Sequence, residues 1–547
     1  MLRFLFICVA IFSFCFTNMV QSQNKKDNKG WHDEIIYHVF QRSFYDSNGD
    51  KYGDLNGFIQ KLDYLKELGV TTILFTPLYE SDFYHNYFPT DYAKIDPEYG
   101  TMEEYIAFVK AVHEKDMKFL MDMETQYAQS GHIWFDDSYR NPQSQYADFI
   151  YYSDSAHQYP EQIFMPTKSE LFDFNLWPGK KRNIVFLDLN NTKVKLWMKD
   201  FYAFWVDPNK DGKFDDGVDG FRIDHIMDDL DYKGLFVNMY SEFWNPIFKH
   251  CKNINPDLFV LGEQSNWNHY GDKMIKESGA DASFSFPLRF ALAGSKGVHD
   301  MYTDPDKEGV NMNPYRIIKE VQATMQRFSD DTYSINFLEN HDTNRWASVV
   351  NNNNKQIRIG AVLNLLLPGV PSIYYGQELG MSGTTGIWNS DANHIPVREA
   401  FPWSANPHAD GMAAFYENTG EWWDNSIYVN GVAKQISLSN QMSDPNSLWH
   451  LYKSLINIRK SNPSLMFGDF TPIESVPFEI LAYSRIYENN EVTIVLNLSN
   501  KEITIEMQLN GKQLINEGAT LKNKKLILKP YSFLVTKSTK NEQFKNI

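Results

Sequence analysis

The sequence predicts an α/β chain built on a closed barrel of alternating strands and helices, with a domain inserted after the third strand and a small antiparallel β-domain at the end. Three observations predict this. Short apolar runs alternate with longer segments of helical period from Ile35 to Tyr375, the pattern of parallel strands joined by crossover helices. One interval between runs is too long to be a loop. Beyond a last helix from Leu448 to Ile458 the pattern turns to period two, as antiparallel strands require.

The eight runs are Ile35–Phe40, Thr71–Phe75, Lys118–Met121, Gly220–Ile223, Leu258–Leu261, Ala282–Phe286, Ser334–Leu338 and Ser372–Tyr375. Eight repeats favour closure over an open sheet. After the helix signal of Phe58, Leu62, Leu65 and Leu68, Gly69 supplies a C-terminal stop. Thr101 and Glu104 form a capping box that opens a helix with Ile106, Val109 and Val112 on one face. Some sixty residues rich in Tyr, Phe, Ser and Pro then separate the third run from the helix near Val194. They are read as an inserted domain, about 126–187, within a barrel of 31–465. The alternating runs Glu491–Leu498 and Glu502–Met507 place a β-domain at 466–547, with no further helix-forming stretch, and Asn351–Asn354 reads as a solvated loop.

A net charge of −17 argues against phosphate-backbone binding and against anionic membranes, so no nucleic-acid partner is expected. Met1, Leu2 and Arg3 precede an apolar run from Phe4 to Phe16 that is too short to span a bilayer. This reads as a signal peptide cleaved after Ser22, hence a secreted or periplasmic protein. Lipidation at Cys15 is the weaker alternative, because Phe12, Ser13 and Phe14 make a poor lipobox. Losing Cys8 and Cys15 with the signal leaves Cys251 alone, so no intrachain disulfide is available. Aromatics at 15% exceed ordinary core needs. They suit sugar stacking, although core packing is the commoner use. The histidines show no zinc spacing.

In a barrel, residues near the carboxyl ends of the strands converge on one site. Four runs lead into acids: Asp122 after Met121, Asp224 after Ile223, Glu263 after Gly262, and Asp342 after the segment Leu338–His341. A lone acid there is usually a helix cap or a solvated charge. Four in one barrel imply use, because gathered like charges cost free energy. Cleaving a glycosidic bond needs an ionised attacker and a proton donor of raised pKa. Arg222, on the same strand face as Asp224, suits an ionised attacker, and the mostly apolar run before Glu263 suits a retained proton. Asp342, with His341 beside it, is left to stabilise developing positive charge.

At these residues the sequence resembles the α-amylase family of glycoside hydrolases, from about Ile35 to the C-terminus. Gly220 to Asp224 resembles the nucleophile motif, Gly262 with Glu263 the acid/base strand, and Glu339 to Arg345 the third-carboxylate motif. Further matches are Gly69–Ser81, Tyr87–Gly100 and Pro368–Glu378. The resemblance implies a (β/α)8 TIM barrel with an inserted domain and a C-terminal β-sandwich. It implies a retaining α-glucan hydrolase with Asp224 as nucleophile, Glu263 as general acid/base and Asp342 as third carboxylate. Tyr87, Asp122, Arg222, His341 and Arg345 are expected at the sugar, with Tyr87 stacking beneath it.

Two departures stand out. Where the family's third-strand motif continues to Asn and His, this chain has Gln126 and Tyr127. Tyr127, His85 or His132 would have to replace the missing histidine's hydrogen bond. Met227 and Asp228 stand in place of a Lys-His pair on the acceptor side. Linkage preference is thus open, as are a transglycosylase or isomerase on the same scaffold and a noncatalytic glucan-binding protein.

Two loops have cation-wrapping spacing. Asp46, Asn48, Asp50, the carbonyl of Tyr52, and Asp54 place oxygens at alternate positions, like half an EF-hand loop. Family members with this stretch bind calcium or sometimes magnesium. Asp207, Asn209, Asp211, the carbonyl of Lys213, and Asp215 or Asp216 repeat the arrangement before the fourth run, where an ordinary polar turn is the alternative. Trp422 and Trp423 read either as an exposed glucan platform or as packing under the barrel rim.

Overall fold

The computed structural model describes residues 30–177, 179–293, 312–329, 331–386, 390–509 and 511–539. The segment 1–22 expected to be a signal peptide, with Cys8 and Cys15, lies outside them. Each of the eight apolar runs overlaps a barrel strand: β1 Ile36–Val39, β2 Thr72–Phe75, β3 Lys118–Met123, β4 Gly220–Ile226, β5 Phe259–Gln264, β6 Ala282–Phe284, β7 Tyr333–Asn336 and β8 Val370–Tyr374. They close in sequence order, β8 returning to β1, with every pairing parallel. Both strand faces are covered, which is why the runs are continuously apolar. Ile36, Leu74, Leu120, Leu261, Ile335 and Val370 share one core, while Tyr37, Ile73, Phe119, Val260 and Ile373 belong to the larger one.

The local signals act as read. Helix Leu55–Leu68 ends at Gly69, whose φ of 103° suits glycine, and its start is capped by Asp54, read from the sequence only as a cation ligand, which accepts from the Gly57 amide. Helix Met102–Glu114 carries the full Thr101–Glu104 capping box. Between β3 and helix Thr192–Val206, strand Tyr127–Gln129 pairs antiparallel with Ile184–Phe186, and Phe174–Asn175 pairs with Lys181–Arg182. This excursion leaves directly from the carboxyl end of β3.

Past helix Leu448–Lys460 come six antiparallel strands, β9 Asp469–Pro472, β10 Ile480–Tyr487, β11 Asn490–Asn497, β12 Ile503–Glu506, β13 Lys512–Lys522 and β14 Lys525–Thr539. Long β14 pairs with β12 along its first half, with β11 along its second and with β13 in both, over an apolar core that includes Ile480, Val495, Leu526 and Leu534. One helix went unforeseen here: Pro463–Phe467, five residues opened by a proline, is too short to show a period. None of the described helices is long and apolar enough to cross a membrane.

Gly220 starts β4 where the barrel leaves no room for a side chain. A Cβ there would lie 2.2 Å from the Phe259 carbonyl oxygen and 2.8 Å from Leu120 Cδ2. Gly220→Ala is therefore expected to lower unfolding free energy by about 1–3 kcal/mol through overpacking. Urea unfolding of the two proteins side by side checks this, and an unchanged midpoint would contradict it.

Candidate active site

Strand order brings β3, β4 and β5 side by side, and register sets Arg222 opposite Asp122 on one flank and Leu261 on the other. Side chains alternate along a strand, so Arg222 and Asp224 emerge on the same face. The Arg222 guanidinium is 1% exposed. Its Nη1 donates to Asp122 Oδ2 at 2.8 Å and to Asp224 Oδ1 at 2.6 Å, and its Nη2 donates to Glu263 Oε2. Asp122, Asp224 and Glu263 lie within the last residues of their strands rather than just beyond them.

One extra residue enters β4 between Ile223 and Ile226, where register against β5 slips. His225 takes up the bulge with a φ of 40°, rarely adopted by a residue with a side chain. Its Nδ1 thereby comes to 3.6 Å from Asp224 Oδ2. Oxygens of Asp224 and Glu263 and a ring nitrogen of His225 all lie within 4.8 Å of one another. The cationic Arg222 already holds both carboxylates, which disfavours a metal at that point.

The carboxyl groups are pushed apart in pKa. Burial raises Glu263 to about 7 despite the Arg222 and His225 charges, with Asp224 and Asp342 adding to the rise. Its Oε1 accepts from Trp267 Nε1 at 3.0 Å. Burial likewise carries Asp122 to about 7 against the pull of Arg222. Asp224 is buried too, yet His225 and Arg222 hold it below the usual carboxylate range. Asp342 is held further down: its burial is outweighed by His341, whose Nε2 is 2.9 Å from Oδ2, and by Arg398, whose Nη2 donates to Oδ1 at 2.9 Å. Glu124 completes the set. It is buried and hydrogen-bonded to Asp224, and burial together with the Asp224 charge raises its pKa well above normal.

Tyr87 links the two sides. Its hydroxyl donates to Asp122 Oδ2 at 2.6 Å and lies 2.7 Å from His341 Nε2, with the two rings stacked at 5.3 Å. Tyr87, Asp122, Arg222, Asp224, Glu263, His341 and Asp342 thus form one cluster. Arg345 does not join it. It is fully buried, with Nη1 3.0 Å from Glu339 Oε1 and its guanidinium over the Tyr374 and Tyr375 rings, so the expectation of a sugar contact is corrected: the intervening turn points it into the core.

The third-strand departure has a structural use. Gln126 Nε2 donates to the carbonyls of Asp224 and His225 at 3.3 and 3.2 Å, bracing the bulge. Tyr127 is buried edge-on against Phe186, and its hydroxyl meets no partner among the described residues. His132 caps helix Ile133–Ser138 and packs on Trp134, apart from the cluster, whereas His85 packs 5.5 Å from the Tyr87 ring. On the acceptor side, Met227 is buried and Asp228 pairs with Lys273 at 2.9 Å. Trp423 stacks on Tyr428 and Trp422 is half-buried, which favours packing over a platform.

Glu124, His225, Trp267 and Arg398 were not singled out from the sequence. Glu124 had a signal: two residues after Asp122, it shares that strand face. Arg398, 56 residues past Asp342, had none.

In the first loop, Asp46 accepts the amides of Asn48, Gly49 and Lys51, Asn48 that of Asp50, Asp50 that of Tyr52, and Asp54 those of Ser47 and Gly57. Oxygen-only donors on a tight turn fit calcium by chemistry. Asp207, Asn209, Asp211, Lys213 and Asp216 form a second turn between helix Thr192–Val206 and β4.

A parallel eight-stranded barrel with buried carboxylates gathered at the carboxyl ends of its strands defines a glycoside-hydrolase-like protein. Comparison narrows this. The alpha amylase catalytic domain matches residues 38–468, and the C-terminal domain of alpha-amylase SusG matches 480–535. The chain is 31% identical to Alpha-amylase 3 of Dictyoglomus thermophilum over 522 residues, 93% of this chain and 94% of that one. It is 26% identical to the trehalose synthase/amylase TreS of Mycolicibacterium smegmatis, over 82% of this chain and 79% of that one. Among solved structures, the alpha-amylase from H. orenii superposes with a TM-score of 0.73 at 26% identity, covering 92% of this chain and 99% of that chain. The chain belongs to the α-amylase family of glycoside hydrolases.

Removing the shared cation exposes the cost of the cluster. Arg222→Met is expected to cost about 3–5 kcal/mol of unfolding free energy near pH 7, because three buried carboxylates lose their partner. The loss should shrink toward about pH 5, where those groups take up protons. Thermal unfolding at both pH values measures it, and an equal loss at each would sink the charge account.

Proposed function

We propose that this chain is an exported retaining hydrolase of α-glucosidic bonds in starch-derived oligo- or polysaccharides. The observation that carries the reading is the pair Asp224 and Glu263, with oxygens within 4.8 Å and pKa values pushed in opposite directions. About 5 Å between carboxyls is the spacing for a covalent intermediate. Asp224 attacks the anomeric carbon as the glycosidic bond breaks, and the Glu263 proton goes to the departing oxygen. Water then attacks the same carbon, Glu263 takes its proton back, and Asp224 leaves. Asp342, kept ionised by His341 and Arg398, stabilises the positive charge of both transition states.

Arg222 and His225 keep the attacker ionised, and the Glu124 hydrogen bond lowers its basicity further, which makes Asp224 a better leaving group in the second step. The first loop, from Asp46 to Asp54, would hold calcium, whose charge would fix the turn from which helix Leu55–Leu68 starts. The apolar N-terminal run with its Ser22 cleavage point supports export.

Product analysis on maltoheptaose, β-cyclodextrin, pullulan and isomaltose, with the product anomer followed by NMR, tests the reading. α-Anomeric products from wild type and none from Asp224→Asn are expected. β-Anomers, or no turnover on all four, would overturn it. In the same assays kcat/KM should fall above a pKa of about 7 as Glu263 loses the proton it must donate. A profile flat to about pH 9 would remove Glu263 from the acid role.

A further inference from the structure

We propose that the turn from Asp207 to Asp216 is a calcium site that pins the start of the strand bearing Arg222. The turn begins as the C-cap of helix Thr192–Val206 and ends just before β4 at Gly220. Gly212, with a φ of 75° and open space where a Cβ would stand, occupies the sixth position of the repeat, where an EF-hand loop needs its glycine. Asp207 accepts the Gly212 amide at 3.0 Å, Asn209 the Asp211 amide at 2.8 Å, and Asp211 the Lys213 amide at 2.8 Å. Such turns alone also occur without metal.

Asp216 separates the two cases. Its side chain is 1% exposed, and its Oδ1 has no hydrogen-bond partner. The nearby cations serve other oxygens: Lys213 Nζ is 3.3 Å from Asp211 Oδ2 and Lys110 Nζ 4.0 Å from Asp215 Oδ2, both on largely exposed side chains. His113 faces the turn from helix Met102–Glu114, but its ring nitrogens go to the Asp215 carbonyl and the Asp219 carboxylate. A buried carboxylate oxygen without a donor, beside three more acids, is what a hard cation satisfies. Asp207, Asn209, Asp211, the Lys213 carbonyl and Asp216 offer five oxygen ligands, and water completes the shell. That number, with a backbone carbonyl among them, fits calcium better than magnesium.

The site lies at the amino end of β4, and Asp224 sits near the other end. Its effect would be on the anchoring of β4: the Val218 amide already donates to the Trp205 carbonyl at 2.9 Å, and the metal would lock the turn that this bond closes.

Calorimetric titration of calcium chloride into the calcium-stripped, full-length protein tests the proposal. Asp50→Asn, which cripples the first loop, should still take up one calcium per chain. Adding Asp211→Asn and Asp216→Asn should abolish that uptake. Saturating calcium should raise the thermal midpoint of Asp50→Asn by about 2–3 °C. Because Asp216→Asn changes a core position and can prevent folding, Asp50→Asn with Asp211→Asn alone, changed at exposed side chains, should weaken uptake at least about tenfold. No calcium uptake by folded Asp50→Asn, or unchanged uptake in the variants, would overturn it.

Discussion

One buried guanidinium governs this molecule. Arg222 reaches Asp122, Asp224 and Glu263 from adjacent strands, and three carboxylates could not be brought so close without it. One positive charge cannot keep three acids ionised. The shortfall falls on Glu263 and Asp122, both raised, while Asp224 gains additional help from His225 and stays low. The opposite pKa shifts of Asp224 and Glu263 therefore follow from unequal sharing of a single cation, more than from any difference between aspartate and glutamate.

The geometry that makes the sharing unequal is a single surplus residue. Without the bulge in β4, His225 would continue the strand alternation and turn away from Asp224. With it, two neighbouring side chains face the same centre. Gln126 holds the two carbonyls of this irregularity. The stretch that lacks the family's histidine at Tyr127 supplies, one position earlier, a brace for strained backbone.

Much of this was legible in advance. Eight apolar runs gave the strands because a doubly covered barrel demands continuous hydrophobicity, and the helix at Leu55 declared its far end through Gly69. Asp122, Asp224, Glu263 and Asp342 were visible because barrel topology sends strand ends to one place. Arg345 was misplaced because motif membership says nothing of which way a side chain turns after a strand. His225 was missed because a bulge leaves no mark in hydrophobic period, and Trp267 because its indole reaches Glu263 from outside any motif. Arg398 illustrates the general limit: a partner brought in by the closing of the whole barrel has no local pattern to reveal it.

Arg398 also sets when the site comes into being. Its guanidinium joins the Tyr84 hydroxyl, 314 positions earlier, to the His341 carbonyl and the Asp342 carboxylate. During synthesis the barrel strands that carry Asp122, Arg222 and Glu263 emerge long before this arginine does. Until it arrives, Asp342 lacks its guanidinium partner and the loop at Tyr84 has no tie to it. The nascent chain is thus without a finished centre until nearly three quarters of it has been made, and the last piece comes from a segment outside the barrel strands altogether.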